Sequence, residues 1–307
     1  MRIGFIGLGT MGKNAAANIC RKGFETVVYD IRPEAAEPLL AMGATQGQSP
    51  ADVLVQCDVV VTMVFGPKEV AEVLRGPKGF LSVDCTGKIW IDMTTSSPFL
   101  MRDLAAEFGA KGGAAVDAPV TGSVDAAIRG DMPMFVGGED AVIENVRPVI
   151  EAMGQLRKVG AYGNGYVAKL VNNQLWKIHA AAIGEAMVTA KLAGLDPAVW
   201  WEVMKGGAAD SFVLSHDVPS IFAGHYDPSF PIALCLKDLS LIKELMDRVG
   251  TTNTLTEATH ERFREAGRRY GTGAGEMTVC KVIEDDAGID LRVPGDWVKP
   301  WEVKHGG

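Results

Sequence analysis

The chain is expected to fold as an α/β protein with a doubly wound, mostly parallel sheet, followed by an all-α C-terminal domain. Three observations predict this. Short apolar runs alternate with helix-like segments through the first part of the chain, a glycine turn joins the first run to the first helix, and strand signals stop after Gly160. The 307 residues suggest about two domains on a prior of roughly 150 residues each. The expected boundary places an α/β domain over 1–162 and a helical domain over 163–307.

The apolar run Ile3–Ile6 ends in Gly7-Leu8-Gly9-Thr10-Met11-Gly12, and Ala15-Ala16-Ala17 then open a helix stopped by Gly23. A second strand, Thr26–Tyr29, ends at Asp30. Ser49-Pro50 reads as an N-cap and first helical residue, leading to a strand over Asp58–Val64. A helix around Glu69–Leu74, a strand over Ile89–Met93 and a helix to Phe108 follow. Ala114–Asp117 and Met134–Val136 are further strands, and the helix Asp140–Met153 precedes a last strand near Arg157–Val159. Beyond Gly160, one long helix spans about 165–192. Asp196-Pro197 opens another that ends by Gly206-Gly207, and more helices fit Ile232–Val249, Leu255–Tyr270 and Glu276–Glu284. A small helical domain on a long spine often completes its core with a second copy, so a homodimer or a dimer of dimers is expected.

Composition narrows the function. With 47% hydrophobic and 22% charged residues there is material for a packed core. A net charge of -8 argues against binding nucleic acid by phosphate neutralisation. The five cysteines are scattered without C-x-x-C spacing, which suggests reduced thiols in a cytosolic chain, and the dispersed histidines offer no metal-ligand spacing. The chain opens directly on a strand, so no signal peptide is expected. Its most apolar run, Val53–Phe65, is broken by Gln56 and Asp58 and is too short to span a bilayer.

Two stretches carry chemistry. In G-x-G-x-x-G, Gly7 supplies a tight turn, Gly9 lets the backbone approach a pyrophosphate, and Gly12 lets the helix pack closely, with the helix N-terminus facing the phosphates. Asp30 stands near the offset at which a carboxylate meets the adenosine ribose. It would repel a 2'-phosphate, which favours NAD, although Arg32 two residues on offers a partner for NADP. In the second stretch, Gly163–Asn173, Lys169 and Asn173 share a helix face, with Asn172 beside them. A lysine and a carboxamide on an apolar segment suit a substrate site. Asp117 reads as a residue that caps a strand or holds a turn, Trp176 as core or pocket wall, and Lys177 as solvated. His179, His216 and His225 have no identifiable partner.

The chain resembles the β-hydroxyacid dehydrogenase family through four motifs: Gly4–Gly12, Asp117-Ala118-Pro119-Val120-Thr121-Gly122, Gly163–Asn173, and Lys237-Asp238-Leu239. The resemblance implies a Rossmann-type domain and an NAD-dependent enzyme acting on a small carboxylate-bearing substrate, a β-hydroxyacid or its semialdehyde. It makes Lys169 the general acid and base, with Asn173 holding substrate and Thr121, Gly122 and Ser123 receiving the substrate carboxylate. It places Gly7, Leu8, Gly9, Thr10, Met11, Gly12, Asp30 and Thr95 at the cofactor, and Val64 and Phe65 on its adenosine side. Lys237 falls near the nicotinamide and substrate, and Phe230 packs there. Relatives usually carry serine, glycine, glycine and a further glycine where this chain has Thr121, Gly122, Ser123 and Ala126, so a differently shaped pocket is expected. The segment from Gly206 to Asp227 is expected to contribute from the helical side. An imine reductase, or a non-catalytic relative that keeps the fold, is the alternative; the retained Lys169 argues against both.

Overall fold

The protein's structure is a computed structural model that describes residues 1–297. It divides into two compact units, Met1–Leu170 and the chain from Val171 onward.

The first unit alternates strands and helices. In order they are β1 (Arg2–Ile6), α1 (Gly12–Arg21), β2 (Glu25–Tyr29), α2 (Glu37–Leu40), β3 (Thr45–Gln46), α3 (Pro50–Gln56), β4 (Val59–Thr62), α4 (Pro67–Arg75), β5 (Ile89–Asp92), α5 (Pro98–Ala110), β6 (Ala114–Asp117), α6 (Val124–Arg129), β7 (Met132–Gly137), α7 (Asp140–Met153) and β8 (Gly154–Gly160). The eight strands form one sheet in the order β3-β2-β1-β4-β5-β6-β7-β8. All pairings are parallel except β6 with β7.

Burial alternates along the strands as a two-sided sheet requires. Val59 and Val61 enter one apolar layer with α1 and α7, whereas Val60 and Trp90 enter the other with α3, α4 and α5. In the second layer Trp90, Phe80 and Phe108 meet edge-on or tilted at 6.0–6.5 Å between ring centroids. The helix predicted at Ser49-Pro50 starts there, and Ser49 Oγ accepts the Asp52 N–H at 3.2 Å.

Several boundaries differ from the sequence expectation for physical reasons. β4 stops at Thr62 because the next residues leave the sheet to pass the glycine turn, where the Met63 carbonyl lies so close to Gly7 that a Cβ would overlap it. β8 begins directly at Gly154, which packs against the Met132 carbonyl at a distance only glycine permits. The two-residue β3 and the short α2 and α6 are too brief to leave a periodic signal.

The second unit is helical over its described residues. The 29-residue α8 (Asn164–Leu192) begins in the first unit and continues into the second, followed by α9 (Pro197–Met204), α10 (Val218–Ala223), α11 (Ile232–Val249), α12 (Thr254–Tyr270) and α13 (Thr278–Ala287). A π-helical turn, Val213–Asp217, runs into α10. Asp196 caps α9 by accepting the N–H groups of Ala198 and Val199. Tyr226 and Asp227 adopt left-handed backbone conformations, with φ of 52° and 48°.

Lys177 corrects the sequence reading, because it is completely buried rather than solvated. Its ammonium lies 3.3 Å from Glu276 Oε2, against the rings of Trp176 and Phe230. Asp217 and Asp227 stand close by, with oxygens within 4.8 Å of one another and of Glu276. Burial pushes the Glu276 carboxyl well above its ordinary range, while Lys177 pulls it down. Removing one partner of a buried pair strands the other charge. Lys177→Met is therefore expected to lower stability by about 3–5 kcal/mol in urea melts. The double replacement Lys177→Met, Glu276→Leu should recover most of that loss, and a double variant as unstable as the single one would show that the charges are not coupled.

Candidate functional site

The parallel register aligns Tyr29, Ile6, Thr62, Asp92 and Asp117 in one row across the sheet. The residue after each stands at the carboxyl edge, where open α/β sheets bind ligands. Asp30, Gly7, Met63 to Phe65, Met93 to Thr95 and Ala118 to Thr121 follow that row directly. Most of the site residues expected in the first unit thus belong to one edge.

The glycine turn is built tightly. Gly7 has a φ of +95° beside the Met63 carbonyl, and Gly12 packs so close to the Gly7 carbonyl that a side chain would overlap it. A Cβ on Gly9 would meet nothing within 4 Å, so Gly9 leaves open space in front of the loop. Asp30 braces this turn, its Oδ2 accepting the Leu8 N–H at 2.7 Å and its Oδ1 the Arg32 N–H at 2.9 Å. The Arg32 side chain is 61% exposed, with Nε 3.5 Å from Asp30 Oδ1. On the neighbouring loop, the Val64 N–H donates to Thr94 Oγ1 at 3.2 Å, and Phe65 is exposed. Thr95 follows Thr94 and is half-buried.

The Thr121 to Ser123 loop is tied to β7. The Thr121 N–H donates to the Pro133 carbonyl at 2.9 Å, and Gly122 turns with a φ of +86°. Ala126 is buried, its methyl 3.1 Å from where a Cβ on Gly122 would sit, so this departure from the family pattern packs inside the loop.

Two buried carboxylates stand behind this edge. Asp117 Oδ1 accepts the Gly163 N–H and its Oδ2 the Tyr166 N–H, each at 3.1 Å. Asp92 accepts from the hydroxyls of Thr62, Thr94 and Tyr166. Lys169, in the next turn of α8, is 9% exposed.

Within the second unit, Asn173 is fully buried and donates from Nδ2 to Asp238 Oδ2 at 2.6 Å, while Asp238 Oδ1 lies 3.2 Å from Lys237 Nζ. Asp238 thus links two expected site residues. Phe230 packs against Trp176 at 4.9 Å between centroids. In the segment from Gly206 to Asp227, His216 has a partner, with Nδ1 2.6 Å from Asp217 Oδ1 and its ring stacked on Phe212. Asp217 also accepts the Trp176 Nε1–H, and the Asp227 N–H donates to His225 Nδ1. Sequence reasoning did not assign site roles to Asp92, Tyr166 and Asp238. Tyr166 and Asp238 lie inside the motifs Gly163–Asn173 and Lys237-Asp238-Leu239, but their hydrogen bonds to Asp92 and Asn173 span 74 and 65 residues.

Residues 2–164 match the family described as the NAD binding domain of 6-phosphogluconate dehydrogenase. Residues 163–283 match the NAD-binding region of NADP-dependent 3-hydroxyisobutyrate dehydrogenase. The chain is 32% identical over 285 residues to the 2-hydroxy-3-oxopropionate reductase of Escherichia coli, covering 92% of this chain and 97% of the relative. The chain belongs to the β-hydroxyacid dehydrogenase family. The L-threonate dehydrogenase of Cupriavidus necator is another similar relative, 31% identical over 94% of this chain and 97% of its own length. Among solved structures, the 3-hydroxyisobutyrate dehydrogenase of Mycobacterium tuberculosis with L-serine superposes with a TM-score of 0.84 at 27% identity, covering 92% of this chain and 99% of that one.

A β-hydroxyacid dehydrogenase takes a nicotinamide dinucleotide, and the residues of this chain fit one. The open space at Gly9, and the absence of both a side-chain cap and acidic residues in the first turn of α1, leave the helix N-terminus clear for phosphate oxygens. Both NAD and NADP are used in the family. Among the described residues, no helix is long and apolar enough to cross a membrane.

Burial raises the Asp92 carboxyl to about 7, against the pull of its hydroxyl donors. In the unfolded chain an aspartate titrates near 4. Between those values the folded state holds the extra proton, so this group's contribution to stability is full below about pH 4 and is lost as pH rises to about 7. Asp92→Asn should remove a pH-dependent component on the order of 4 kcal/mol. Urea melts from pH 4.5 to 7.5 should therefore show a shallower decline than in the wild type, and an unaltered slope would show that Asp92 does not titrate there.

Proposed function

We propose that the chain is an NAD-dependent oxidoreductase that interconverts a small β-hydroxyacid and its semialdehyde, with Lys169 as general acid and base. The observation that carries this reading is the placement of Lys169. It is a nearly buried lysine just after a helix turn that is hydrogen-bonded to the carboxyl edge of the sheet. The similar proteins are named for 2-hydroxy-3-oxopropionate, L-threonate and 3-hydroxyisobutyrate, which supports a short hydroxy acid as substrate class.

A bound nicotinamide would supply the hydride chemistry at the carbon bearing the oxygen. Lys169 Nζ takes the hydroxyl proton during oxidation and returns it to the carbonyl oxygen during reduction. Thr121, with the backbone amides of Gly122 and Ser123, receives the substrate carboxylate. Asn173, whose Nδ2 donates to Asp238 and whose Oδ1 accepts from Asn172 Nδ2, orients the substrate, with Lys237 and Phe230 completing the set.

Lys169→Ala is expected to lower kcat by about 10²- to 10⁴-fold while leaving NAD binding within a few-fold of wild type. NADH absorbance with 3-hydroxyisobutyrate, serine, glycerate, 3-hydroxypropionate and threonate provides the assay. Near-normal turnover in that variant would refute the acid–base role, and no turnover with any acid would refute the substrate class. Asp30 places a carboxylate where a 2'-phosphate would be repelled, so kcat/KM with NAD should exceed that with NADP by roughly tenfold or more. A preference for NADP would reverse the cofactor assignment.

A further inference from the structure

Resting on that reading of Lys169, we propose that Asp117 is a positioning residue, which fixes the first turn of α8 to the sheet and thereby sets where the Lys169 amine stands. Asp117 ends β6 and grips α8 at two points, the N–H groups of Gly163 and Tyr166. Three glycines make room for it. A Cβ on Gly137 or on Gly165 would overlap the Asp117 carboxylate or a nearby carbonyl, and Gly163 turns with a φ of +95°. The carboxylate also lies at the positive end of a 29-residue helix, where a negative charge is favoured.

A second anchor runs from the same turn. The N–H of Tyr166 meets Asp117 while its hydroxyl donates to Asp92 Oδ2 at 3.0 Å, so one residue ties α8 to the ends of both β5 and β6. Lys169 follows Tyr166 by three residues, less than one helical turn. A rotation or slip of that first turn therefore carries the amine with it, and misplacement by about 1 Å can cost roughly 10²-fold in rate. The other ionisable groups at this turn are Tyr162, whose hydroxyl is 3.3 Å from that of Tyr166, and Arg102 of α5, whose Nε donates to the Tyr162 carbonyl at 3.4 Å. Burial raises the Asp117 carboxyl to about 6, and the backbone N–H groups pull it back down. It is thus chiefly a carboxylate at neutral pH.

The test is a cycle of Asp117→Asn, Lys169→Ala and the double variant, with Tyr166→Phe as a milder probe in case Asp117→Asn does not fold. In backbone hydrogen exchange, amides of residues 163–170 should exchange about tenfold faster in Asp117→Asn, or about threefold faster in Tyr166→Phe. The Gly7 to Gly12 loop should keep its wild-type rates. With the best substrate of the panel above, Asp117→Asn should lower kcat about 10- to 100-fold, with KM for NAD changed less than about threefold. Added to Lys169→Ala, it should cost nothing further, because both act through one amine. Unchanged exchange overturns the proposal, and so does a loss that multiplies on the Lys169→Ala background, as a purely structural role would produce. Normal kcat in Asp117→Asn beside a disabled Lys169→Ala removes the positioning role and leaves the acid–base reading standing. Wild-type turnover in Lys169→Ala removes both.

Discussion

The carboxylate of Asp117 satisfies two backbone N–H groups that would otherwise be orphaned where a long helix starts inside the protein. A helix beginning at a sheet edge has no partners for its first N–H groups, and burying them unpaired costs free energy. Here the partner is a side chain on the central sheet. The glycines at 137, 163 and 165 follow from that choice, since each lies where a side chain would strike the carboxylate or a neighbouring group. The buried Tyr166 and Asp92 extend the same arrangement one strand further.

Much of the first unit could be read in the sequence because its signals are local. The glycine turn, the strand before it and the helix after it lie within a short stretch, and the register across the sheet then brings Asp30, Thr95 and Thr121 to one edge. The turn-holding role expected of Asp117 is the one it plays, although the sequence offered no sign that the turn belongs to α8. Lys177 was misread for a related reason. A lysine without a nearby carboxylate in the chain reads as solvated, while the carboxylate that makes its burial tolerable lies 99 residues away at Glu276. Asp238 was passed over because its hydrogen bond to Asn173 spans 65 residues. Pairings of this range leave no periodic trace.

The two units handle buried charge differently. In the first, the carboxylates of Asp92 and Asp117 are satisfied by hydroxyl and backbone donors. In the second, Lys177 is set among carboxylates and aromatic rings. In both units burial raises the carboxyls, and the hydrogen bonds or the ammonium pull them back down. An ion pair holds charge state, and its desolvation is costly unless both partners remain.

Asp30 bears on redesign. The carboxylate proposed to meet the ribose also grips the Leu8 N–H and the Arg32 N–H. On the proposed reading, coenzyme choice and the stiffness of the glycine turn would reside in one side chain. On that reading, replacing Asp30 to admit a phosphorylated coenzyme would also loosen the glycine turn that it braces. Ile31, 86% exposed and next to Arg32, offers a place to add positive charge while the brace stays intact.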